Sequence, residues 1–105
     1  MSDLRRYEIF LPLRFNDGRL VPDDLIAQTL LELRERFGAV SWETQIIHGA
    51  WQHERVVFRD DLVRVFVDVP DLSTNRQFFL QFKERLKTRF GQIEIWMSTY
   101  AIEVL

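Results

Sequence analysis

Residues 63–96, VRVFVDVPDLSTNRQFFLQFKERLKTRFGQIEIW, contain the pattern that decides the fold. The stretch opens with valines at alternate positions, which is the period of a β-strand: Val63, Val65, Val67 and Val69. After a break at Pro70, four apolar residues recur at helical spacing: Phe78, Phe82, Leu86 and Phe90. Gly91 predicts the end of that helix, and the alternation that follows it predicts another strand. The stretch therefore predicts a strand, a helix and a strand in succession.

The N-terminal half repeats this pattern. LRERFGAVSWE at residues 33–43 resembles LKTRFGQIEIW at residues 86–96, and each contains a helix end, a glycine and an entering strand. Alternation over residues 7–14 predicts the first strand, and apolar residues at helical spacing predict a helix from Pro22 to Gly38. Residues 40–53 and 55–69 read as an antiparallel hairpin, and residues 92–105 as the last strand.

The order of elements is thus β-α-β-β-α-β, which predicts an α+β, ferredoxin-like sandwich. Right-handed crossovers would place two helices on one face of a four-stranded antiparallel sheet. We predict a single domain over residues 1–105, because a chain of this length has room for one core.

Composition narrows the classes of function. The chain has no cysteine, which is typical of a reducing compartment, and its charged N-terminus does not match a secretory signal. We therefore expect a cytoplasmic protein with no membrane segment. A net charge of −2 argues against a general electrostatic grip on nucleic acid or anionic lipid.

The face of the sheet that lies away from the helices is the main functional clue. The alternate residues of each strand that point to this face should be polar. Several are aromatic instead, and we predict that these form an interface: Phe10, Phe66, Trp96 and Tyr100, with Ile47 and Trp51 as neighbours. An apolar face of this size is more than a soluble monomer usually exposes. We therefore predict a homo-oligomer, most simply a dimer, with a pocket for a small apolar ligand between the sheets as an alternative.

Base stacking on these aromatic residues is a third reading, since RNA-recognition domains share this topology. The acidic residues interleaved on the same face, Glu8, Asp68 and Glu94, would repel phosphates. We therefore predict no nucleic-acid partner.

The hairpin segment GAWQHERVVFRDD, residues 49–61, is where we would look for a site. Four residues there join an apolar surface to titratable groups and are the candidate binding residues: Trp51, His53, Arg59 and Asp60. His48 and His53 are five apart on one strand, which sends them to opposite faces, so we predict no metal site. The serines lack a nucleophile motif and the glycines form no phosphate loop, so we predict no catalytic residue and no cofactor.

Three short motifs carry a resemblance: Gly49-x-Trp51, Val57-x-Arg59-Asp60 and Arg89-Phe90-Gly91-Gln92. With them the C-terminal two-thirds of the chain resembles a group of small bacterial proteins of ferredoxin-like topology with no assigned function. The resemblance implies that fold and implies no activity. The layout is also similar to dimeric α+β-barrel proteins and to small trimeric signalling or metal-tolerance proteins.

Two classes of function remain open at this stage. The first is a non-enzymatic module that assembles or binds a small ligand or a protein through the aromatic face of its sheet. The second is a cofactor-free enzyme of the dimeric α+β-barrel type, with its pocket near the central hairpin. The absence of a catalytic motif favours the first.

Overall fold

The computed structural model describes residues 3–105. It contains two helices and five strands. In chain order they are β1 (Leu4–Pro12), α1 (Asp23–Phe37), β2 (Ser41–Trp42), β3 (Ile47–His53), β4 (Val56–Pro70), α2 (Ser73–Arg89) and β5 (Met97–Ile102). Both helices are too short and too polar to cross a membrane, judged over these described residues.

One antiparallel sheet contains all five strands. Its order is β2-β4-β1-β5, and β3 continues beside β2 along the same edge of β4. This arrangement confirms the α+β, ferredoxin-like fold.

The strand count differs from the prediction, because the single strand expected over residues 40–53 is divided into β2 and β3. Trp42 pairs with Val65 and Ile47 with Leu62, so residues 43–46 bulge opposite two β4 residues. The bulge is held to β4 by Glu43, whose backbone N–H donates to the Arg64 carbonyl oxygen at 3.0 Å.

The core lies between the helices and one face of the sheet. From β1 and β4 it contains Tyr7, Ile9, Leu11, Val65, Val67 and Val69, and from the helices Leu33, Phe79, Phe82 and Leu86, all of them buried. The ring of Tyr7 stacks on that of Phe79, with centroids 3.9 Å apart and planes 9° from parallel. The alternating valines thus face the helices as their spacing predicts.

The segment before β5 departs from the prediction. We expected the last strand to begin at Gln92, but it begins at Met97, and Ile93 is 45% exposed. Gly91 has a φ of 60°, a left-handed conformation that turns the chain out of α2. The chain rejoins the sheet at Trp96, whose carbonyl oxygen accepts a hydrogen bond from the Phe10 N–H at 3.0 Å.

The hairpin of β3 and β4 projects beyond the rest of the sheet. β1 ends opposite Leu62, and Leu13 still bonds the Asp61 carbonyl oxygen, so residues 56–60 of β4 pair with β3 alone. The turn at its tip places Glu54 and Arg55 at φ values of 49° and 68°, as a two-residue turn between antiparallel strands requires.

Candidate functional site

The open face of the sheet, opposite the helices, is divided along the strands into two halves. Residues that pair directly across strands point to the same face, so the register shows which side chains lie on the open face. We call one end the charged half, formed by Arg6, Glu8, Arg64, Phe66, Asp68 and Tyr100. We call the other end the apolar half, formed by Phe10, Pro12, Ile47, Trp51, Leu62 and Trp96.

In the charged half, hydrogen bonds join nearly every polar side chain. Arg64 donates to Glu8 and, at 2.7 Å, to Glu43, while the Tyr100 hydroxyl donates to the same Glu8 oxygen at 2.5 Å. Arg6 donates to both carboxylate oxygens of Asp68, at 2.7 and 3.0 Å. This half satisfies its own polar groups.

Phe66 lies inside this network. The guanidinium carbons of Arg6 and Arg64 stand 4.5 and 4.4 Å from its ring centroid. Cations prefer the faces of aromatic rings, so both arginines cover Phe66 while keeping their carboxylate partners. The sheet face is therefore less openly aromatic here than its residue pattern indicates.

The charges in this half perturb one another. The hydrogen bond from Arg64 holds the pKa of Glu8 below its ordinary value, against the effect of partial burial and with further help from Tyr100. The hydrogen bond to Glu8 in turn raises the pKa of Arg64. Both groups are charged at neutral pH.

The apolar half contains a pocket of about 420 Å³. Its lining includes the three aromatic residues Phe10, Trp51 and Trp96, the aliphatic residues Pro12, Ile47, Ala50, Leu62 and Ile95, and the polar residues His48, Asp60, Gln92 and Glu94. Gly49 lines it too, and a Cβ there would come within 3.3 Å of Leu62 Cδ1. The missing side chain at Gly49 thus leaves room in the pocket.

Trp51 is fixed from two sides. Its Nε1–H donates to Asp60 Oδ2 at 2.7 Å, and its ring stacks on Phe58 with centroids 4.5 Å apart. Trp96, by contrast, is 66% exposed. One wall of the pocket is therefore preformed, while the other is open to a partner or a ligand.

Glu94 supplies the second carboxylate of the pocket. Its Oε1 accepts hydrogen bonds from Lys83 Nζ and from the Ile95 N–H, each at 3.0 Å. Burial raises the pKa of Glu94, but these hydrogen bonds outweigh that effect and hold it below its ordinary value. Glu94 is therefore ionised at neutral pH.

The structure brings together only some of the candidate binding residues. Trp51 and Asp60 are hydrogen-bonded and line the pocket together. His53 lies beside Trp51, with ring centroids 6.3 Å apart, but its nearest charged partner is Glu54 at 3.9 Å and it does not line the pocket. Arg59 pairs with Ala50 on the other face of the hairpin.

The candidate interface residues fall into both halves. Phe10 and Trp96 belong to the apolar half, whereas Phe66 and Tyr100 belong to the charged half. The sequence pattern placed Glu94 on the open face, but neither Glu94 nor Gln92 was among the candidate binding residues, because both lie in the irregular segment that was predicted as strand. The signals that could have found them were the parity of Glu94 and the turn residue Gly91.

The titratable side chains elsewhere are dispersed. His48 is part of the pocket lining, and its Nδ1 lies 2.7 Å from Asp61 Oδ1, which is not. Within residues 3–105, no three His, Asp or Glu side chains are placed to hold a metal ion.

No family model matches this chain, and no curated protein is significantly similar to it in sequence. Similar solved structures include a phage SAM lyase in complex with S-methyl-5′-thioadenosine, with a TM-score of 0.69 and 13% identity over 99% of this chain and 92% of the lyase.

Two similar structures are CutA proteins. CutA from Synechococcus elongatus PCC7942 has a TM-score of 0.61 and 12% identity over 97% of this chain and 79% of that protein. The divalent ion tolerance protein CutA1 from Ehrlichia chaffeensis has a TM-score of 0.63 and 6% identity over 100% and 86% of the two chains. At these identities the likeness establishes the fold.

Proposed function

We propose that this protein is a non-enzymatic, homo-oligomeric module that binds a small organic molecule, about the size of a nucleoside, in the pocket of the apolar half. The observation that carries the proposal is the pocket itself, about 420 Å³ in volume and walled by Phe10, Trp51 and Trp96. Small-molecule sites are typically apolar and aromatic clefts of roughly 300–1,000 Å³ with a few polar groups that fix orientation.

The fixed orientation of Trp51 favours the interpretation of the pocket as a ligand-binding site. Trp51 is already oriented by Asp60 and Phe58, so little side-chain entropy remains to be lost when a flat ring stacks on it. Asp60, Gln92 and Glu94 supply the polar groups that would orient such a ring.

Self-association is the second part of the proposal. Trp96 is 66% exposed beside the pocket, and a second copy of the chain would remove it from water and close the open side of the pocket. A dimer is the simplest assembly, because two-fold association is the most common. Light scattering at micromolar concentration measures it, and a strict monomer would contradict this part alone.

Ligand binding can be measured from the tryptophans. Trp42 is 53% exposed and lies outside the pocket, so in a Trp42→Phe background only Trp51 and Trp96 report. The phage SAM lyase binds S-methyl-5′-thioadenosine, which makes that nucleoside the first probe. We expect a saturable fluorescence change and a rise in melting temperature, since a ligand at a hundred times its dissociation constant adds about 2.7 kcal/mol.

Trp51→Ala should abolish that change, whereas the Trp42→Phe protein should bind as the unmodified chain does. If nucleosides up to their solubility limit leave both signals unchanged, the ligand-binding part of the proposal is wrong.

A cofactor-free enzyme is the second candidate, and one observation favours it. The likeness to the phage SAM lyase spans 99% of this chain and 92% of the lyase. Incubation with S-adenosylmethionine, followed by chromatography of the nucleoside products, tests it. Turnover that disappears in Glu94→Gln would replace the binding module by an enzyme, and saturable binding without turnover supports the module.

A further inference from the structure

We infer that the pocket of the apolar half selects an organic cation, such as a sulfonium or quaternary ammonium group, over a neutral molecule of the same shape. The inference rests on the proposed function, since it names the charge of the ligand for the same pocket. Three observations carry it.

The charge of the lining is the first. Asp60 and Glu94 line the pocket, whereas no lysine or arginine does so among residues 3–105. Lys83 reaches Glu94, but it bonds Oε1 and is not part of the lining. The formal charge facing a ligand is therefore negative, which disfavours phosphates and carboxylates and favours cations.

The unused oxygens of these carboxylates are the second observation. Trp51 donates to Asp60 Oδ2, and both donors to Glu94 reach Oε1. Within the described chain, Asp60 Oδ1 and Glu94 Oε2 receive no side-chain or backbone hydrogen bond. Each carboxylate thus keeps one oxygen free to face a cationic ligand.

The free aromatic faces are the third observation. Elsewhere this chain covers three part-buried phenylalanine rings with its own arginines: Phe15 by Arg19, Phe66 by Arg6 and Arg64, and Phe78 by Arg36 and Arg85. Over the part of the chain that the structure describes, no such cation stands over Phe10, Trp51 or Trp96. Tryptophan faces are the strongest cation binders among aromatic side chains, so these rings are available to a cation brought by a ligand.

A matched pair of ligands tests the inference by equilibrium dialysis. S-adenosylmethionine carries a sulfonium, and S-adenosylhomocysteine is the neutral thioether that lacks the extra methyl group. We expect the sulfonium compound to bind about tenfold more tightly, the ratio typical of a partly desolvated cation on aromatic rings.

Charge variants locate the preference. Asp60→Asn keeps an oxygen for the Trp51 N–H, and Glu94→Gln keeps the size of the side chain. Each should weaken binding of the sulfonium by about three- to tenfold and leave the thioether within about twofold. Glu54→Gln is the control, because it removes the same charge from the same hairpin at an exposed turn residue that does not line the pocket.

The outcomes separate the inference from the proposed function. If the thioether binds as tightly as the sulfonium, or if Glu54→Gln weakens binding as much as Asp60→Asn, the charge selection is wrong while the binding function stands. If neither compound binds the unmodified chain, the ligand-binding part of the proposed function fails and the inference fails with it.

Discussion

The two halves of the open sheet face are built on the same strands and both contain aromatic residues, yet they differ in what covers those residues. In the charged half, Phe66 lies between two arginines that are held by carboxylates of the same chain. In the apolar half, Trp51 and Trp96 border a pocket and no arginine of the described chain covers them. The difference teaches that an aromatic side chain on an open sheet indicates a binding surface only where the protein has not already supplied its partner.

Substitutions in the core beneath the sheet should lower stability most, and the effects in the two halves can be compared with that loss. Phe82 is fully buried, so Phe82→Ala should lower the free energy of unfolding by about 3–5 kcal/mol and approach loss of folding in so small a domain. Circular dichroism melts measure the loss, with Phe82→Leu as the milder control. A loss below that of any surface variant would mean that the core is wrongly placed.

Substitutions in the charged half should cause the next largest loss of unfolding free energy. Arg64→Ala removes hydrogen bonds to Glu8 and Glu43 and uncovers Phe66, which should cost about 2 kcal/mol of unfolding free energy. Arg64→Lys should lose part of that, because one ammonium cannot reproduce the fork of a guanidinium. Chemical denaturation measures both, and an unchanged Arg64→Ala protein would remove the distinction between the two halves.

Acid should weaken the charged half through Glu8. Its pKa is lower in the folded chain than its ordinary value of 4.5, so the stabilisation is complete above pH 4.5 and is lost as the pH falls through the folded value. Stability measured from pH 7 down to pH 3 should fall less in Glu8→Gln than in the unmodified protein. Parallel curves for the two proteins would show that the Glu8 charge contributes nothing to the fold.

Substitutions in the apolar half should have the smallest effect on unfolding free energy and the largest effect on self-association. Trp96→Ala should change the unfolding free energy of one chain by about 0.5 kcal/mol or less, as exposed positions usually do. It should nevertheless make the assembly more dissociable in light scattering, whereas Trp42→Ala, an equally large change at an exposed tryptophan outside the pocket, should not. Equal effects of the two substitutions would argue against the apolar half as the interface.

The periodicity of apolar residues in the sequence correctly predicts which faces of the helices and of the sheet pack together. The alternation from Val63 to Val69 and the helical spacing of Phe82 and Leu86 identify the two surfaces that pack together, because both depend only on the period of the backbone. The parity of Phe10 and Trp96 likewise identifies the open face. These features need no knowledge of which strands pair.

The features that could not be predicted depend on tertiary contacts. Phe66 has the parity of an interface residue, but its two covering arginines come from different strands and meet only in the register of β1 and β4. The bulge at residues 43–46 and the late start of β5 have the same origin, since each follows from contacts with distant residues. Parity therefore placed Glu94 on the open face but could not identify it as a pocket residue.

One measurement tests the apolar half as a binding surface most directly. Each of the three tryptophans gives one indole N–H signal in a nitrogen-edited NMR spectrum, and two of them, Trp51 and Trp96, line the pocket. On titration with S-methyl-5′-thioadenosine we predict that these two signals shift together and saturate at one dissociation constant, while that of Trp42 stays in place. Three stationary signals, or a shift confined to Trp42, would contradict the account.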